Sequence, residues 1–257
     1  MIITLASIFS VYKASALNDN EFNPSIYQAG IFIASIIVYN NYKLIKLFNS
    51  VKNLYFKKIL ILSSIILSFY YAYLFLNTYG WNSLLFISTL FVLSIFYNFT
   101  YYKHKISIGN FRAVAYLKIF LISFVWASVS SLIILKFNIL TVLSFIQNFI
   151  FIFAITLPFD LRDKEIDRKH GVKTLAHCYN SSQLLTIANL LITFNLISSI
   201  ILFPIFEIEV YLIPELLIYF YVVILLKLFP KMKNEILIYE LLDISIIIYG
   251  ILYILIF

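Results

Sequence analysis

The chain has 257 residues, 63% of them hydrophobic and only 12% charged, with a net charge of +7 at pH 7. That charged share is about half of what a soluble domain carries, and the apolar runs repeatedly approach the ~20 residues that cross a bilayer, which excludes an ordinary soluble domain. The lone Cys178 excludes an intrachain disulfide and a cysteine-based metal cage.

Nine spans are expected, at roughly 1–17, 26–46, 59–76, 84–102, 113–135, 139–159, 183–206, 210–229 and 235–257, forming one all-α polytopic membrane bundle and a single domain over 1–257. The first ends in Ala14-Ser15-Ala16, which resembles a signal-peptidase site. It lacks a basic start, and Lys13 interrupts its apolar run, so it is taken as a short first span. The second closes in Ile36-Ile37-Val38-Tyr39-Asn40-Asn41-Tyr42-Lys43 and the sixth in Thr156-Leu157-Pro158-Phe159-Asp160. Both end in an aromatic followed by Asn or Asp, four spans apart, which suggests two related four-helix halves plus a ninth span.

Span four runs into Tyr97-Asn98-Phe99-Thr100-Tyr101-Tyr102-Lys103, and Gly109-Asn110-Phe111-Arg112 leads into span five, where Lys118 lies inside apolar sequence. Such a lysine either snorkels to the interface, the commoner outcome, or faces a polar cavity. Lys and Arg crowd alternate loops: Lys43, Lys46, Lys52, Lys57 and Lys58; Lys103, Lys105 and Arg112; Arg162, Lys164, Arg168, Lys169 and Lys173; Lys227, Lys231 and Lys233. These are sixteen of the nineteen, whereas the opposite loops hold Lys136 with Asp19, Glu21, Glu207, Glu209 and Glu215. By the positive-inside rule the basic loops are cytoplasmic and the N-terminus is inside. The basic balance thus marks orientation and contact with anionic headgroups, with no nucleic acid invoked.

Charge is densest over Phe159 to Thr174, FDLRDKEIDRKHGVKT, where Asp160, Asp163, Glu165 and Asp167 are four of the twelve carboxylates. On a helix Asp160, Asp163 and Asp167 fall within an arc of about 60°, with Glu165 pointing elsewhere. Three carboxylates on one face repel unless a cation sits among them, and a hard divalent ion such as Mg²⁺, completed by water and phosphate oxygens, supplies one. Asp167, a further turn out, is expected to matter less than the other two. The plain alternative is a solvated charged loop. Against it, the apolar run Phe149 to Phe159 leads straight into Asp160, which puts that carboxylate at a helix mouth. His104, His170 and His177 share no ligand spacing and are expected as surface loop histidines.

The chain as a whole resembles the UbiA-type superfamily of intramembrane prenyltransferases in its nine spans, basic cytoplasmic loops and Asp-rich stretch after span six. The specific match is Asp160-x-x-Asp163-x-x-x-Asp167 followed by Gly171 and Thr174, similar to the family's second Asp-rich motif. The place of the first motif reads Asn40-Asn41-Tyr42-Lys43-Leu44-Ile45-Lys46-Leu47-Phe48, which keeps the Asn and none of the carboxylates. The resemblance implies transfer of an isoprenyl group from an isoprenyl diphosphate to a lipophilic, usually aromatic, acceptor. It implies Asp160, Asp163 and Asp167 as metal ligands and catalytic residues around Mg²⁺. Asn40, Lys43, Lys46, Tyr97, Lys103, Arg112 and Lys118 are then substrate-binding candidates, with Lys43 and Lys46 standing in for a second ion. The expected setting is the inner (plasma) membrane with a cytoplasmic active face. Two other readings remain: a member of the same family with altered chemistry or none, and a small-solute transporter using the acidic mouth as a cation site. A transporter places its polar groups nearer mid-membrane.

Overall fold

The computed structural model describes residues 12–17, 28, 54–99, 117–132, 138–169, 172–231 and 235–256. Their regular elements are all helical: α1 (Tyr12–Leu17), α2 (Leu54–Phe99), α3 (Leu117–Ser131), α4 (Ile139–Lys169), α5 (Leu175–Cys178), α6 (Ser181–Ile205), α7 (Leu212–Leu228) and α8 (Glu235–Ile256), with 3₁₀ turns at Glu209–Tyr211 and Phe229–Lys231. Among the described residues four stretches are long and apolar enough to cross a membrane: Ile139–Glu165, Ser181–Ile205, Glu209–Leu228 and Leu237–Ile256. The protein is therefore an integral membrane protein with a helical bundle.

Those four stretches are the expected spans six to nine, shifted by a few residues. Of the fifth, α3 and Leu132 are described. The third and fourth form one long element, α2, broken at Gly80, where φ 78 and ψ 176 lie in a region open to glycine alone. An added Cβ at Gly80 would meet nothing within 4 Å, so the backbone angles and not space require glycine there. Phe75, on one side of the break, is fully buried against Tyr71, Tyr79, Leu84, Phe86, Ile87 and Val129, so the two arms share a small core at the bend. Of the first span α1 is described. The second span lies outside the described residues, and the proposed repeat between its end and that of span six with it.

α4 is the central helix and packs on α1, α3, α5, α6 and α8. Phe151, Ile152, Ala154, Ile155 and Leu157 bury more than one of its faces, as expected of a helix surrounded by others. It continues through Pro158, whose ring deprives the Ala154 carbonyl of its N–H partner. It then runs ten residues beyond the expected end of the span, carrying the charged stretch as helix rather than loop. α3 lies against α4 along a seam of small residues in which Asn148 Nδ2 donates to Ser130 (3.1 Å) and Ser131 (2.8 Å). Gln147 Nε2 donates to Ser199 of α6 at 2.9 Å. Such pairs hold helices together where lipid removes the hydrophobic driving force between them.

α6 starts at a reciprocal cap, with Gln183 N–H donating to Asn180 Oδ1 (2.8 Å) and Asn180 N–H to Gln183 Oε1 (3.0 Å). It stops in a turn with Glu207 in the left-handed region at φ 59, where Ile208 N–H reaches back to the Phe203 carbonyl at 2.9 Å. Rings order the packing of α8 on α4: Tyr239 meets Phe159 at 5.2 Å and Tyr249 meets Phe151 at 4.9 Å, so the two helices run in opposite directions.

Candidate functional site

The three aspartates come together as the helical spacing predicts, and the cation among them is Lys118. The ammonium, reaching from the first turn of α3, lies 3.4 Å from Asp160 Oδ1, 3.1 Å from Asp163 Oδ2 and 2.6 Å from Asp167 Oδ2. Lys118 therefore does not snorkel to the interface; it is 7% exposed and neutralises carboxylates. Asp167 is fully buried and makes the shortest of the three contacts. Its extra turn of distance is cancelled because the long lysine stem comes down the same face of α4.

Each carboxylate has a different second environment. Asp160 Oδ2 accepts the Ala176 N–H at 3.1 Å, while its Oδ1 is buried without a hydrogen-bond donor. Asp163 Oδ1 accepts from Arg162 Nε at 2.9 Å. The Arg162 guanidinium in turn sits 5.1 Å from the ring centres of both Phe159 and Tyr239, joining the charged end of α4 to α8 by cation–π contact. Glu165 is exposed, as its angle predicts.

The short helix α5 exists to deliver Ala176. Thr174 precedes it with extended backbone, and its N–H donates to His177 Nδ1 at 3.2 Å while its hydroxyl lies 2.9 Å from the same nitrogen. His177 is thus a partly buried cap residue and not the free surface histidine expected. This also gives Thr174, part of the matched motif, a local structural role; Gly171 and His170 lie outside the described residues.

With all three aspartates ionised, the cluster and Lys118 carry a net charge of minus two, or minus one with Arg162 counted. Hard oxygens and residual negative charge are features that divalent cations favour. As the side chains stand, however, no three His, Cys, Asp or Glu among the described residues are disposed to hold a metal ion, since the ammonium takes the point the carboxylates share. Of the other site candidates, Asn40, Lys43, Lys46, Lys103 and Arg112 lie outside the described residues, and His104 with them. Tyr97 is in the last turn of α2, its side chain outside the described set.

A second buried charged cluster was missed in the sequence. Lys13 Nζ donates to Glu215 Oε1 (2.7 Å) and to the Tyr249 hydroxyl (2.6 Å), and Tyr253 donates to the same glutamate oxygen at 2.6 Å. Tyr249 also donates to that oxygen. Lys13 and Glu215 are each 2% exposed, so Glu215 belongs to the first turn of α7 and not to an exposed loop. The signal was present in two lone charges within or beside apolar runs and in Tyr249 and Tyr253 one turn apart on α8. Tyr249 stands level with Phe151, about 12 Å along α4 from Phe159 at 1.5 Å per residue. The two clusters are thus separated along the bundle.

Comparison with known proteins returns no matching family model, no matching curated protein and no matching solved structure.

Proposed function

We propose that this protein transfers an isoprenyl group from an isoprenyl diphosphate to a lipophilic, aromatic acceptor within the membrane. The observation that carries this reading is the convergence of the buried Asp160 and Asp167 and the partly exposed Asp163 on a single ammonium at the end of a membrane-crossing helix. Ionisable groups withdrawn from water in a membrane protein are costly and mark functional positions. An acidic cluster with a cation beside it is suited to holding a diphosphate through a metal. The absence of hydrophobic preference for an isoprenyl tail between lipid and protein leaves the diphosphate end to set most of the specificity.

In this reading Asp160, Asp163 and Asp167 would hold Mg²⁺, which would supply charge neutralisation on a departing diphosphate. Lys118 then offers its ammonium to a diphosphate oxygen, joined by Arg112 and Lys103. Lys43 and Lys46 are assigned the positive charge that another ion would supply at a second acidic motif, and Asn40 and Tyr97 are assigned to substrate binding. Arg162, whose guanidinium lies 5.1 Å from the ring centres of both Phe159 and Tyr239, positions Asp163. Some of the 48 Phe, Tyr and Trp rings would shield an allylic cation from water, a ring face attracting a cation by about 0.5 to 2 kcal/mol. The positive-inside bias supports a cytoplasmic mouth, and the plasma membrane is the proposed setting.

The test is a lipid extract of cells with and without the protein, screened for a prenylated product. A product is expected only with the unaltered chain, and its formation should be lost in Asp160→Asn and Asp163→Asn proteins that still insert. Diphosphate binding indifferent to Mg²⁺ and to both substitutions would remove the enzyme reading and return the charged stretch to a structural role.

A further inference from the structure

The buried charges on Glu215 take no part in the reaction above. This carboxylate sits in the first turn of α7, 2% exposed, and its Oε1 accepts from the hydroxyls of both Tyr249 and Tyr253 on α8. Those two bonds join α7 to α8 without any group from α1, and the ring of Tyr211 stacks on that of Tyr253 at 5.4 Å. The Lys13 ammonium is set into this arrangement from α1. It meets Glu215 Oε1 at 2.7 Å and the Tyr249 hydroxyl at 2.6 Å, and lies 5.0 and 5.9 Å from the ring centres of Tyr249 and Tyr253. A carboxylate, a hydroxyl oxygen and two aromatic rings are the groups that recognise an alkylammonium.

We propose that Glu215, Tyr249 and Tyr253 form a binding site for a primary alkylammonium, and that its occupant in this structure is the chain's own Lys13. The site owes nothing to prenyl transfer. Its receiving groups are bonded to one another, so they keep their places when the ammonium leaves. A carboxylate withdrawn from water is costly to leave unpaired, so departure of α1 opens a vacancy that selects for a cation. The contacts at 2.6 and 2.7 Å need N–H donors, which a primary ammonium has and a quaternary one lacks. An amine-bearing ligand therefore competes with α1 for α7 and α8, and by taking the site it releases α1.

The experiment uses the full chain in detergent micelles at pH 7 and fixed ionic strength, with propylammonium chloride as the probe and thermal unfolding as the readout. Lys13→Ala removes the three outer methylenes and the ammonium, which propylammonium restores atom for atom. Propylammonium should raise the melting temperature of Lys13→Ala saturably, as a ligand of the folded state does. Tetramethylammonium, which has charge but no N–H, should bind at least about 10-fold more weakly, having lost the charge-assisted bonds. The unaltered protein should show no saturable rise over the same range, because its tethered lysine holds the site at high effective concentration. Lys13→Ala combined with Glu215→Gln should show none either, since the carboxylate is gone. A rise of equal size in that double variant or in the unaltered protein places the amine elsewhere and overturns the proposal. So does equal rescue by tetramethylammonium, or a Lys13→Ala protein that stays unfolded with propylammonium present from extraction onward.

Discussion

Asp167 and Asp163 both touch Lys118, yet they are placed to contribute unequally. Asp167 is fully buried and meets the ammonium at 2.6 Å; the Asp163 side chain is 23% exposed and shares its charge with Arg162. Charge-assisted hydrogen bonds contribute about 1.5–3 kcal/mol, and more of this is realised away from water. Asp167→Asn should therefore lower stability by about 1.5–3 kcal/mol and Asp163→Asn by distinctly less, as measured by reversible unfolding in detergent. Equal losses would mean that burial does not govern the cluster. The grouping of the three aspartates was legible from their spacing, because i, i+3 and i+7 share a helical face wherever the helix sits. The identity of the cation was not legible, because Lys118 is some forty residues away in sequence and its direction depends on how α3 packs against α4.

At the scale of elements, α1 is joined to α7 and α8 through Lys13, Glu215, Tyr249 and Tyr253. Within the described residues of α1, the ion pair with its two hydroxyls anchors the helix, aided by the Tyr211 hydroxyl donating to the Ala16 carbonyl at 3.2 Å. Removing one member of a buried pair strands the other, at about 3–5 kcal/mol. Lys13→Met should destabilise the protein by that amount, and Lys13→Met combined with Glu215→Gln should recover a large part of it in a double-mutant cycle. Additive losses would show that the two residues do not act as a pair. Spans six to nine were legible because each is an unbroken apolar run of the right length. The continuation of α4 to Lys169 was not, because a dense mixture of charges resembles a solvated loop until its three aspartates find a partner to bury them. Gly80 fell inside an expected loop for a related reason: helical hydrogen bonding resumes on both sides of one glycine, and composition does not record that.

For the whole molecule, two buried charge clusters sit at different levels of one bundle, and their placement follows the distribution of Lys and Arg along the chain. If the sixteen basic residues mark the cytoplasm, the Lys118 cluster opens inward and the Lys13 cluster lies toward the outer leaflet. Reporter fusions after Asn77 or Phe137 should then report the outside, and fusions after Lys52 or Lys173 the inside. The reverse pattern at Lys173 would separate the acidic cluster from any cytoplasmic donor. A hydrogen bond described above turns this cluster into its own gauge. The Ala176 amide is held by Asp160 across sixteen residues of chain, so its proton can leave for deuterium only when that carboxylate lets go. An ion that draws Asp160 away from α5 should accelerate exchange at Ala176, whereas one that stiffens the carboxylate in place should slow it. Following that single amide by mass spectrometry, with and without Mg²⁺, would therefore register events at the mouth of the bundle before any substrate is known.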